Sequence, residues 1–68
     1  MTVKDSLLLE DLIDANGLDE VLFALSEICD EKSMHIQESY SDSALADAWR
    51  KAGSHIIKAE NAVNKLGI

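Results

Sequence analysis

Glu27, Glu31, His35 and Glu38 follow one another at intervals of four, four and three residues. On a helix this spacing sets them along one side. Carboxylate and imidazole are good ligands for zinc, manganese or iron. Glu31 and His35 would occupy adjacent turns. Di-iron helical bundles, however, place glutamate and histidine three residues apart, and here the interval is four. His55 lies on a later segment, and antiparallel pairing sets it level with Ile28 and Cys29. A Cys29/His55 pair across two helices is therefore a second arrangement. Either pair supplies two ligands and would need a carboxylate or a second subunit to finish a site. No resident metal or cofactor is expected, with Glu31, His35 and His55 as the weak candidates.

Other chemistry has less to stand on. Glu27-Ile28-Cys29-Asp30 fits half of the Glu-x-x-Glu/Glu-x-x-Asp pattern with which helical nucleotide pyrophosphohydrolases hold magnesium. The upstream half is missing: Glu10 is followed three residues later by Ile13, and Glu20 by Phe23. Cys29 falls within an apolar stripe beside Asp30 and Glu31. Both apolar surroundings and acidic neighbours disfavour the thiolate, so it reads as a core residue. No glycine-rich phosphate loop and no serine elbow occurs. A non-enzymatic chain is expected.

The charge narrows the partners. Thirteen acids against six bases give a formal charge of −7 over 68 residues. Binding to nucleic-acid phosphates or to an anionic membrane needs the opposite sign, so neither direct nucleic acid binding nor membrane attachment is expected. A protein with a basic surface fits. Residues 1–38 hold ten of the acids and only Lys4 and Lys32 as bases; residues 39–68 hold three acids against Arg50, Lys51, Lys58 and Lys65. The two halves can lie side by side with little repulsion. One cysteine cannot form an internal disulfide, as small secreted domains usually require. Leu7-Leu8-Leu9 is too short for a signal core or a membrane span. A cytoplasmic chain is the expectation.

Three helices must position all of these groups. With no proline and three glycines, the chain has the punctuation of an all-α protein. The first helix is expected over 3–15, started by a Thr2/Asp5 capping box and closed at Asn16-Gly17; Leu8, Leu9, Leu12 and Ile13 are its apolar stripe. The second is expected over 18–39, with Asp19 and Glu20 in the favourable first turn. Its apolar line is Leu18, Val21, Leu22, Leu25, Ile28, Cys29, Ile36 and Tyr40. The third, over 43–65, follows an N-cap at Ser41 or Asp42. Its line is Leu45, Ala48, Trp49, Ala52, Ile56, Ala59, Val63 and Leu66. Helices two and three should form an antiparallel hairpin, with Ala48, Ala52 and Ala59 pressed closely on a neighbour.

A chain of this length buries only about 60% of its unfolded surface, which leaves a thin stability margin. The expected architecture is therefore a single domain that dimerises, two hairpins making a four-helix core. The expected function is a protein–protein interaction or regulatory module. Phe23, Tyr40 and Trp49 are its candidate contact residues, with Tyr40 and Trp49 otherwise an aromatic plug at the hairpin's turn. Asp14, Asp19, Glu20, Glu27 and Glu31 would steer a basic partner. A second expectation is a phage-type inhibitor, for example of a CRISPR or other nucleic-acid-binding complex, presenting its acidic helical face. A third is a metal-binding helical dimer.

Overall fold

The computed structural model describes all 68 residues and is helical throughout: α1 (Val3–Asn16), α2 (Leu18–Tyr40) and α3 (Ser43–Asn64). Each boundary has a local cause. Thr2 caps α1 through its hydroxyl, which accepts from the Asp5 amide at 3.1 Å, while the Asp5 carboxylate accepts from the Thr2 amide at 3.3 Å. This is the expected capping box. A single residue, Gly17, separates α1 from α2 at φ 92°, a conformation open to glycine but strained for other residues. A Cβ there would also lie 2.9 Å from the Asp19 carboxylate. At the other turn Ser41 takes the left-handed conformation (φ 51°) and Asp42 caps α3 by accepting from the Leu45 amide at 3.0 Å.

Helices α2 and α3 form the hairpin, and its seam differs in part from the expected one. Along α2 the covered positions Leu22, Ser26, Cys29, Ser33 and Ile36 make one line, and along α3 Ala46, Trp49, Gly53, Ile56 and Glu60 make another, with Val21, Ala52, Ile57 and Val63 half-buried beside them. Both sets run at alternating intervals of three and four, the knobs-into-holes period. The centre of the seam is made of small residues. Ser26, Cys29, Ala46 and Gly53 are the four buried residues of the chain. A Cβ added to Gly53 would stand 3.2 Å from the Cys29 Cβ and 3.3 Å from the Ser26 carbonyl oxygen. The helix axes can approach this closely because Gly53 carries no side chain.

The buried hydroxyls are satisfied. Ser26 donates to the Phe23 carbonyl at 2.6 Å, and Ser33 donates across the seam to the Ala46 carbonyl at 2.7 Å. No buried side-chain polar atom lacks a partner.

Leu22, Cys29 and Ile36 of the expected α2 line and Trp49 and Ile56 of the expected α3 line keep their places in the seam, and Val21, Ala52 and Val63 are half-buried. Leu25 and Ile28 remain exposed, as do Leu45, Ala48 and Ala59. The close approach belongs to Ala46 and Gly53, not to the Ala48/Ala52/Ala59 line. Helix α1 contributes no buried residue. It covers Leu9 and Ile13 in part and leaves Leu7, Leu8 and Leu12 more than half exposed. The molecule is a slab of 38 × 30 × 14 Å.

Candidate functional site

The two broad faces of this slab differ in chemistry. At about 100° per residue, Val21, Leu25, Ile28 and Lys32 lie on one flank of α2 beside the seam. Leu45, Ala48, Trp49, Ala52 and Ala59 lie on one flank of α3. Because the helices are antiparallel, both flanks look out from the same side of the hairpin. The Lys32 ammonium, 5.4 Å from the centre of the Trp49 ring, ties the two flanks together.

Two depressions mark this face. One, about 350 Å³, lies in the corner between α1 and α2 and is walled by Leu9, Leu12, Val21, Ala24, Leu25 and Ile28, with Asn16 and Glu20 at the edge. The other, about 320 Å³, is a trough on α3 between Leu45, Ala48, Trp49 and Ala52. Of all these residues only Glu20 is charged.

The opposite face is polar. Ser33, Gln37, Glu38, Ser43, Asp47 and Arg50 surround a third depression there, with Met34 and Ala46. Asp47 pairs with Arg50 and, at 2.9 Å, with the Lys51 ammonium. The hydrogen bond from Lys51, then that from Arg50, holds the Asp47 carboxyl below the ordinary carboxylate range. A lowered carboxylate pKa stabilises the fold above the unfolded value and loses that contribution as pH falls through the folded one. For so exposed a group the effect on stability is slight. By NMR titration the Asp47 carboxyl should nevertheless protonate at lower pH in the native chain than in a Lys51→Gln variant. Equal midpoints would refute the pairing.

The candidate contact residues separate. Trp49 is half-buried and belongs to the apolar face. Phe23 is exposed on the other flank of α2, apart from the apolar face. Tyr40 is 71% exposed and meets the His35 ring edge-on at 5.9 Å. The expected Tyr40/Trp49 plug at the turn is therefore not formed. Among the acids, Glu20, Glu27 and Glu31 share the outer edge of α2, away from α3, while Glu38 borders the polar depression with Asp47 and Arg50. Asp19 turns instead toward Gly17 and is partly covered, and Asp14 sits on α1.

The histidines stay apart from a ligand set. His35 lies near Ser39 Oγ at 3.5 Å. Cys29 faces Gly53 across the seam, whereas His55 is exposed on α3, so the Cys29/His55 pairing is not made. No three His, Cys, Asp or Glu side chains converge within the chain.

No helix is long and apolar enough to cross a membrane. No protein-family model, curated protein or solved structure matches the chain. What defines its class is the two-faced helical hairpin with an apolar arm.

Small residues at the seam were the signal available in the sequence but not used. Ser26, Ser33 and Gly53 interrupt the hydrophobic lines, yet they keep the three–four spacing as faithfully as the leucines do.

Proposed function

We propose that this chain is a small, acidic, non-enzymatic protein–protein interaction or regulatory module that acts as a homodimer. One observation carries the reading. The chain covers its small residues against itself and leaves Leu12, Leu25, Ile28 and Leu45 exposed on one side, with Leu7 and Leu8 of α1 exposed as well. Monomeric soluble proteins seldom present a contiguous apolar surface of this kind. A surface whose charges are Lys32, held over Trp49, and Glu20 at the rim suits contact more than catalysis.

The acids supply the second half of the reading. Glu27 and Glu31 lie clear of the apolar face and remain open to solvent when that face is covered, while Glu20 stands at its rim. They would steer a partner with a basic surface, with exposed Phe23 beside them as an anchor. A lone cysteine kept in the seam suits a reducing cytoplasm.

The alternative of a phage-type inhibitor draws less support. Along the acidic edge only Glu27 and Glu31 keep a one-turn interval, and Glu20 stands seven residues before Glu27. The metal-binding dimer would have to draw its ligands from two chains.

Light scattering over a range of concentrations tests the homodimer: a folded monomer at micromolar concentration would discard it. For steering, the tagged chain and its Glu20→Lys/Glu27→Lys/Glu31→Lys variant are compared by the proteins each captures in cells. Basic partners should disappear from the variant's set, since rim charges act chiefly through the association rate. Identical sets would remove the acidic edge from the function.

A further inference from the structure

We infer that the apolar face is self-complementary, and that α1 of one chain packs into the Leu45/Ala48/Trp49/Ala52 trough of a second copy, and the reverse. The inference rests on the homodimer proposed above and specifies how it is built.

The surface area argues for a second copy as the occupant. A folded monomer of 7.4 kDa is expected to expose about 4,200 Å², whereas this chain exposes 5126 Å². The excess, roughly 900 Å², is close to the ~800 Å² that each partner contributes to a standard interface. The Cα radius of gyration agrees: 13.9 Å, against about 11 Å for a compact chain of this length.

Shape then sets the arrangement. Helix α1 stands at the open end of the hairpin, beside the N-terminal half of α2. The trough lies toward the turn end, on the N-terminal half of α3. The same face thus carries the exposed Leu12 of α1 at one end and the trough at the other. A two-fold axis lying in the interface plane, across the long direction of the hairpin, sets each α1 over the other chain's trough. This is the isologous contact that closed dimers use. Two alanines floor the trough between a leucine and a tryptophan, leaving room for a leucine.

Helix α1 also needs such a neighbour. Fourteen residues are marginal as an isolated helix, and its own chain covers only Leu9 and Ile13 in part. Leu8 and Leu12, one turn apart, are 55% and 53% exposed. Electrostatics permits the stacking. Each chain carries −7, yet Glu20 is the only charged residue lining either depression. Lys32, over Trp49 of the trough, brings a positive charge to the contact, and Glu27 and Glu31 remain outside it.

Site-directed cross-linking tests the arrangement. In a Cys29→Ser background, one chain carries Leu8→Cys and a differently tagged chain carries Ala48→Cys. Both positions are exposed, so folding is preserved and is checked by circular dichroism. After mixing and mild oxidation, the mixed disulfide should dominate over the Phe23→Cys/Ala48→Cys control, in which Phe23 lies on the far flank. Leu12→Cys with Ala52→Cys serves as a second pair. A dimeric mass without cross-links at either α1–α3 pair overturns this arrangement and leaves the homodimer standing. A monomeric mass at every concentration overturns both.

Discussion

Replacing Gly53 with leucine should open the hairpin. The position sits opposite Cys29 at the tightest point of the seam. Even a methyl group would lie 3.2–3.3 Å from the Cys29 Cβ, the Asp30 carboxylate and the Ser26 carbonyl. Two of those atoms belong to backbone or to a Cβ fixed by it, so they cannot swing aside. A leucine must push the helices apart, and overpacking of this kind costs about 2–3 kcal/mol. The separation would also strip the Ser33 hydroxyl from the Ala46 carbonyl. In a domain of this size the cost corresponds to a melting-temperature drop of roughly 10–20 °C at fixed protein concentration. Ser54→Leu, one residue along and exposed, is the control and should be nearly neutral. Equal melting of Gly53→Leu and the native chain would mean that the helices do not approach through this glycine.

The second large effect concerns assembly. Ile28→Asp should convert the dimer to a monomer. Ile28 is 46% exposed in the isolated chain, and an exposed substitution usually changes folding stability by less than about 0.5 kcal/mol. Buried in a two-fold interface, the same change places two carboxylates in a largely apolar layer, each with Lys32 one turn away as its one cationic neighbour on that flank, which is disfavoured. Self-association should weaken by at least about 100-fold, near 2.7 kcal/mol on the usual affinity scale. By sedimentation equilibrium the mass should fall to that of one chain, and melting should lose its dependence on concentration. Phe23→Asp, on the far flank, should leave the mass unchanged. If Ile28→Asp retains the dimer, the apolar face is not what holds it.

Together these variants separate two roles that one sequence pattern obscures. Both Cys29 and Ile28 belong to the apolar line of α2, yet Cys29 closes the hairpin and Ile28 is left open. The line is wide enough to cover more than one stripe at helical spacing. Hydrophobic periodicity marks the arc without saying which edge of it faces the same chain. Burial of the larger stripe would bring more apolar area out of water. The smaller stripe lets the axes close up, and its serines bond to carbonyls already at hand.

Local chemistry alone settled the helices and their ends. Thr2 with Asp5, Gly17 and Asp42 are stop and start signals that act over three or four residues, so three helices over 3–16, 18–40 and 43–64 were legible within a residue or so. The antiparallel hairpin followed from the short connection and the matched three–four spacing. Tertiary structure decided the rest: that small residues meet at Gly53, that Trp49 lies under Lys32 and not beside Tyr40, and that Phe23 and the leucines of α1 stand apart. Those outcomes depend on how closely two backbones can approach, a property of pairs of residues far apart in the chain. No spacing within either helix records it.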